Sequence, residues 1–345
     1  MNLSDLNKVA LAMVTPGKGV LAADESSGTI KKRFDAIHVE STEEARRDYR
    51  EMLFRSEEAM SKYISGVILY DETIWQNAKD GTPLVRLIEQ SGAIPGIKVD
   101  EGTQSLPNCP GELITAGLDK LAERLKKYYE RGARFAKWRA VIDIGQNIPT
   151  MTAIHVNAHA LARYAALCQA AQIVPIVEPE VLMDGDHDID RCYEVSQRVL
   201  NKTFQELRVQ RVALEGMILK PNMVIAGKKS SKPSSVEEVA EKTIRLLKSC
   251  VPAAVPGIAF LSGGQSDEEA TAHLDAMNRI GGLPSSLPWR LTFSYGRALQ
   301  AAPQKAWSGR DENVAAGQRA FTHRARMNAL ASKGAWDTGL EKKVA

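Results

Sequence analysis

The segment GMILKPNM (216–223) places Lys220 in the middle of an apolar run. Burying an ammonium group is costly unless it is paired or neutralised. A lysine that is desolvated and set beside other cations gives up its proton more readily. The free amine then attacks carbonyls, and the resulting iminium draws electrons from neighbouring carbon–carbon bonds. Two further segments, KWR (137–139) and EPE (178–180), each carry two charges two residues apart: Lys137 with Arg139, and Glu178 with Glu180. On a strand such residues share a face. Lys137 could be the cation beside Lys220. Paired carboxylates on one face differ in proton affinity, which suits general acid–base work. Plainer readings compete: a buried Lys220–Glu178 ion pair, one glutamate solvated and the other bridged to Lys137 or Arg139, and Asp24 capping a helix at 25–36.

These side chains can act together only if the fold gathers them. Short apolar segments alternate with longer amphipathic ones. Eight of the short ones read as strands: 17–24, 64–70, 93–100, 133–141, 172–181, 217–224, 257–264 and 288–296. Between them, 118–132, 157–171, 236–249 and 266–279 show the apolar spacing of helices. The first of these ends at Gly132, a natural C-cap, and the last opens on a capping box of Ser266 and Glu269. The Gly- and Pro-rich stretch 102–116 reads as an irregular loop. Eight buried strands separated by helices predict an α/β fold, with a parallel sheet closed into a (β/α)8 TIM barrel. The competing open, doubly wound sheet calls for a GxGxxG fingerprint after the first strand, and the sequence has none there. The expected organisation is one barrel over 1–305, then a C-terminal helix and a mobile tail over 306–345 packed on or over it.

Placed on that barrel, the polar residues fall at strand ends. Asp24 closes the first strand and Lys98 the third; Lys137 and Arg139 lie in the fourth, Glu178 and Glu180 in the fifth. Lys220 lies in the sixth, Ser262 in the seventh, and Arg297 follows the eighth. One strand-end charge is ordinarily structural. Charges or polar groups on every strand but the second converge on the C-terminal mouth, where barrels keep their chemistry. Phosphate groups have natural seats there. SGGQS (262–266) offers backbone N–H groups and a capped helix N-terminus, and SYGRA (294–298) adds a glycine beside the Arg297 guanidinium. A second anion seat is expected across the mouth, from Lys98 with Ser26, Thr29 and Arg33.

Composition narrows the partners. The chain has 345 residues, a formal net charge of +3 and intermixed acidic and basic residues, so no basic stripe points to nucleic acid. The four cysteines form no CxxC and read as free thiols of a reducing compartment. No apolar run approaches a membrane span or a signal peptide, which points to the cytoplasm. The acidic stretch DGDHDID (184–190) lacks the Gly and Glu of a calcium loop, having Ile189 and Val195 at those positions, and reads as the polar opening of a helix. The remaining histidines do not gather at the strand ends, so no metal constellation is expected.

GKGVLAADES, GVILYDETIWQ, PGIKVD, GARFAKWRAV, IVPIVEPEV, EGMILKPNMV, FLSGGQSDEEA and LTFSYGRALQ, in that order over residues 15–305, resemble the segments of class I, Schiff-base fructose-1,6-bisphosphate aldolases. The resemblance implies a (β/α)8 barrel in a homotetramer, with no metal or organic cofactor and a phosphorylated sugar as substrate. It implies Lys220 as the Schiff-base lysine and Glu178 as principal acid and base, assisted by Asp24, Lys137 and Glu180. Ser262, Gly263, Gly264, Ser294, Gly296 and Arg297 would seat the 1-phosphate. Arg33, Lys98 and Arg139, with Ser26 and Thr29, would serve the 6-phosphate end or the open-chain sugar, and Arg46 is a further substrate-associated arginine. Fructose 1-phosphate or sedoheptulose 1,7-bisphosphate is the alternative substrate, and a phosphosugar-binding scaffold the non-catalytic alternative. Many members carry a C-terminal tyrosine that aids proton exchange on the enamine, whereas this sequence ends GLEKKVA and its last tyrosine is Tyr295.

Overall fold

The computed structural model describes residues 2–280, 282 and 286–342. Eight parallel strands close into a barrel: β1 Gly19–Ala23, β2 Ile64–Leu69, β3 Ile94–Lys98, β4 Phe135–Ile142, β5 Val174–Val181, β6 Ile218–Leu219, β7 Gly257–Phe260 and β8 Arg290–Tyr295. Each strand pairs with its sequence neighbours and β8 pairs with β1, which closes the ring and excludes the open sheet. The eight strands lie where the apolar segments predicted them. The 102–116 stretch is more regular than a loop, since Thr103–Ser105 and Leu113–Thr115 pair as a small antiparallel ribbon.

Side chains alternate across each strand, so one face of every strand looks into the barrel. Inward residues change character along the axis. On β1 the series is Val20, Ala22, Asp24; on β4 Phe135, Lys137, Arg139; on β5 Val174, Ile176, Glu178, Glu180; on β6 Ile218, Lys220. The apolar members of each series form one interior cluster with Ile68 and Ala259. Leu6, Ala10 and Met13, on the helix Leu3–Met13, join that cluster and stop the N-terminal end of the barrel. The barrel is therefore dry at the bottom and ionic at the top.

β6 is the shortest strand, and the expected run to 224 is not regular. Lys220 N still donates to Val177 O at 2.8 Å, but Pro221 follows, has no N–H to continue the ladder, and releases the chain into the loop above. The capping box forms as predicted: Ser266 N donates to Glu269 Oε2 at 2.8 Å and Glu269 N to Ser266 Oγ at 3.2 Å. The first barrel helix, Ser27–Asp35, begins behind Ser26, so Asp24 is free of the capping role.

The residues after the barrel pack down instead of trailing away. The helix Arg297–Trp307 lies against the helix Val314–Ala331, and Trp336 is buried. Glu341 accepts from Arg324 Nη1, from His323 Nε2 at 2.9 Å and from Trp336 Nε1 at 2.9 Å. The expected mobile tail is thus docked through Glu341; residues 343–345 lie outside the described residues.

The lowest interior layer is tight. Phe135 is fully buried, and Gly96, its partner across the β3–β4 pairing, leaves room for the ring; a Cβ on Gly96 would run into it. Gly96→Ala should therefore destabilise the fold by about 1–3 kcal/mol, the usual cost of overpacking. A denaturant midpoint equal to that of the unaltered protein would show that the Phe135 ring can yield.

Candidate active site

The upper inward residues wall an open cleft of about 600 Å³ at the C-terminal mouth. This volume lies within the range of about 300–1,000 Å³ that suits a small organic ligand. At its floor the alternation of β1, β4, β5 and β6 brings Asp24, Lys137, Glu178 and Lys220 together. Lys137 Nζ lies 2.6 Å from Asp24 Oδ2 and 3.5 Å from Glu178 Oε2, and Lys220 Nζ lies 3.3 Å from Glu178 Oε1. Glu178 thus bridges both lysines. Lys137, Glu178 and Lys220 are only 3–4% exposed, so the set is nearly dry yet opens upward into the cleft.

The charges balance in pairs. Burial works against the Asp24 carboxylate, but Lys137, Lys220 and Lys98 outweigh it and hold Asp24 well below the usual carboxylate range. Burial likewise works against the Lys137 ammonium, and Asp24, Glu178 and Asp100 hold it far above the ordinary lysine value. Lys137 therefore stays charged and Asp24 stays ionised. The cation expected to sit beside Lys220 is present, but it is matched by Asp24 and is not a bare charge. The buried Lys220–Glu178 pair, read from the sequence as the plainer alternative, is also present. Glu178 Oε2 is buried without a hydrogen-bond partner, which leaves an acceptor facing the cleft.

Glu180 has a separate partner, since Arg139 Nε donates to Glu180 Oε2. The two carboxylates of EPE thus differ through distinct cations, lysines for Glu178 and a guanidinium for Glu180. Lys98 Nζ lies 3.2 Å from Asp100 Oδ1, and Asp100 Oδ2 also accepts from the Arg139 backbone N at 3.3 Å.

The two predicted halves of the phosphate seat meet. Arg297 Nη2 donates to Gly263 O at 2.7 Å, which ties the loop after β8 to the loop after β7. Gly263 adopts φ +55°, a left-handed conformation that favours glycine. Ser294 Oγ is buried, unpartnered and on the cleft wall, and Ser262 lines the same wall. The helices Asp267–Ile280 and Arg297–Trp307 both begin here, so their N-termini add positive potential.

The four residues of the second expected seat line the same cleft. Because β1 adjoins β8, Arg33 lies beside Gly296, with Arg33 Nη2 3.6 Å from the position of a Gly296 Cβ. Ser26 and Thr29, whose hydroxyls are 3.1 Å apart, stand on that side too, while Lys98 rises from β3. Arg33 thus also reaches the β8 end of the cleft. Arg46 is not among the cleft-lining residues: its guanidinium donates to Glu72 Oε1 and Oε2 and to Ser41 O.

Sequence reasoning missed several participants. Glu25 accepts from Arg33 Nη1 and, at 2.7 Å, from Gln300 Nε2, which fixes Arg33. Asp100 stands inside the PGIKVD segment already singled out. Met183, Asp184 and Lys228 also line the cleft, and only their place in loops after β5 and β6 could have signalled them. Within the acidic stretch 184–190, Asp188 caps the helix Ile189–Val209 as the polar helix opening read from the sequence, Asp190 pairs with Lys242, and Asp184 at the cleft pairs with Lys228.

Comparison with known proteins places this geometry. The family described as fructose-bisphosphate aldolase class-I matches residues 5–345. A relative from Xanthomonas campestris pv. campestris, named "Probable fructose-bisphosphate aldolase class 1", is 56% identical over 97% of this chain and 99% of its own length. A relative from Arabidopsis thaliana, named "Fructose-bisphosphate aldolase 6, cytosolic", is 54% identical over 93% of this chain and 88% of its own. The solved structure of fructose-bisphosphate aldolase from Plasmodium falciparum, in complex with TRAP and a small-molecule inhibitor, superposes with a TM-score of 0.94 at 47% identity. It covers 98% of this chain and 96% of its own.

The Asp24–Lys137 pair has a defined pH signature. Asp24 is depressed on folding, so its contribution is present above the ordinary carboxylate value of about 4 and is lost as pH falls toward its folded value. Lys137 is raised, so its contribution is present below the ordinary lysine value of about 10 and is lost as pH rises through its folded value. Between these limits the pair adds no slope to stability. Asp24→Asn should lower stability at neutral pH by about 3 kcal/mol, because it leaves a buried ammonium without its closest partner. An unchanged urea midpoint would mean that Glu178 alone satisfies Lys137.

Proposed function

The chain belongs to the class I fructose-bisphosphate aldolase family, and we propose that Lys220 is its Schiff-base amine and Glu178 its proton carrier. The protein cleaves fructose 1,6-bisphosphate reversibly to dihydroxyacetone phosphate and glyceraldehyde 3-phosphate. One observation carries the assignment of residues: Glu178 lies 3.3 Å from Lys220 and 3.5 Å from Lys137, while Asp24 holds Lys137 in its charged form.

The order of steps follows from which groups can exchange a proton. Lys137 is held protonated and Asp24 ionised, so the proton that leaves Lys220 goes to Glu178. The neutral amine attacks the C2 carbonyl and forms a carbinolamine. Glu178 returns a proton to the C2 hydroxyl, water leaves, and the iminium forms. Glu178, again a carboxylate, takes the proton of the C4 hydroxyl as the C3–C4 bond breaks. The bonding electrons move into the iminium and give an enamine, and glyceraldehyde 3-phosphate departs. Protonation at C3 and hydrolysis of the regenerated iminium free Lys220 and dihydroxyacetone phosphate. The fixed charge of Lys137 stands where an oxyanion near Glu178 would gain from it. Arg139 orients Glu180, and the Ser262–Gly264 and Ser294–Arg297 segments seat the C1 phosphate.

Borohydride with dihydroxyacetone phosphate should attach the reduced ligand to Lys220, as read by peptide mapping. Lys220→Met should abolish trapping and lower kcat on the order of 10⁴-fold or more, as loss of a nucleophile does. Glu178→Gln should lower kcat about 10²- to 10⁴-fold while leaving a trappable lysine. An adduct on a different lysine would overturn the assignment.

Among the described residues no helix is long and apolar enough to cross a membrane. The cytosolic names of the plant relatives support a cytoplasmic location for this chain, and the family resemblance supports a homotetramer. Light scattering should give about four chain masses; a monomer or dimer mass would reject the tetramer, and activity fractionating with membranes would reject the location.

A further inference from the structure

Lys228 stands at the edge of the cleft, eight residues beyond Lys220, on the loop that Pro221 releases from β6. Its backbone is fixed against the loop after β5. Gly227 N donates to His187 O at 2.8 Å, Lys228 N to Met183 O at 2.7 Å, and Lys229 N to Gly185 O at 3.0 Å. Its side chain runs directly over the phosphate seat: a Cβ on Gly264 would collide with Lys228 Cε and Nζ. Gly264, unlike Gly263, does not have a left-handed φ, so its lack of a side chain serves this close approach.

Two contacts occupy the seat in the free protein, and both are weak. Lys228 Nζ pairs with Asp184 Oδ1 at 2.7 Å, but the side chains are 41% and 61% exposed, and exposed pairs contribute little. The Gly264 N–H, a donor that a phosphate oxygen would use, points at Met183 Sδ at 3.1 Å, and a thioether is a poor acceptor. A phosphate dianion offers a stronger acceptor to the N–H and a larger charge to the ammonium than the present partners do.

The geometry points to Lys228 as a further phosphate-binding side chain, held in reserve by Asp184 above Gly264 and transferred to the C1 phosphate of the substrate when it enters. Met183 is the placeholder that the phosphate displaces. This inference rests on the reading that the loops after β7 and β8 seat the C1 phosphate.

The test compares Lys228→Met, Lys228→Arg and Arg297→Gln, with fructose 1-phosphate and fructose 1,6-bisphosphate as substrates. Lys228→Met should raise KM for both about tenfold, the scale of one hydrogen bond to a charged group, with a smaller change in kcat. The difference from the unaltered enzyme should shrink as salt is raised, and Lys228→Arg should recover most of the loss. If Arg297→Gln raises KM and Lys228→Met does not, Lys228 is only a surface charge and the inference falls while the seat stands. If neither raises KM, the seat itself is wrong and the inference falls with it. If Lys228→Met lowers kcat and the melting temperature together, and arginine does not restore them, the residue packs the loop and does not bind phosphate.

Discussion

Everything at the mouth depends on keeping two ammonium and two carboxylate groups nearly free of water. A single charge at that depth would be expelled or neutralised. Asp24, Lys137, Glu178 and Lys220 tolerate the site because each charge has an opposite one within about 3.5 Å. The arrangement is unequal by design of the strands. The 2.6 Å Asp24–Lys137 contact is the tight one, and it fixes one carboxylate and one ammonium in their charged forms. Glu178 and Lys220 share a looser contact of 3.3 Å.

The barrel supplies this set through one rule applied eight times. Inward residues two apart stay on one face, so the chain needs only to change from apolar to charged as each strand rises. Below the change, Phe135 against Gly96 and the helix Leu3–Met13 keep water out; above it, the cleft admits substrate. Lys220 sits at that boundary. Its position answers why a lysine ends an apolar run: Ile218 belongs to the dry layer and Lys220, two residues on, to the ionic one.

Much of this was legible in the sequence because period-two patterning and strand-end charges are local signals. The eight strands, the shared faces of KWR and EPE, and the Ser266–Glu269 cap could all be read from spacing. What spacing could not carry was which strands are neighbours in the ring. Arg33 was grouped with Lys98, and because β1 closes on β8 it also stands by Gly296. Arg46 lies on the helix Glu43–Phe54, and its guanidinium is taken by Glu72, which follows β2; that pairing is tertiary and draws the guanidinium from the cleft. Asp24 left a capping role open until Ser26 was found at the helix start. Lys228 and Met183 carried no pattern at all, because loops are placed by what they pack on. The tail reads as polar and loose in sequence, and its docking comes from the buried Arg324 and Trp336, which with His323 hold Glu341.

The stoppered base of the barrel also settles the traffic through it. With the helix Leu3–Met13 closing one end, ketose, aldehyde, triose phosphate and water all share the same doorway. With Lys220 as the proposed Schiff-base amine, splitting the sugar leaves one fragment tethered and the other held only by non-covalent contacts. The unbound aldehyde is therefore first out, and hydrolysis of the tethered piece follows behind it. Run in reverse, that tether takes up the ketone before the aldehyde, and both enter by the same doorway.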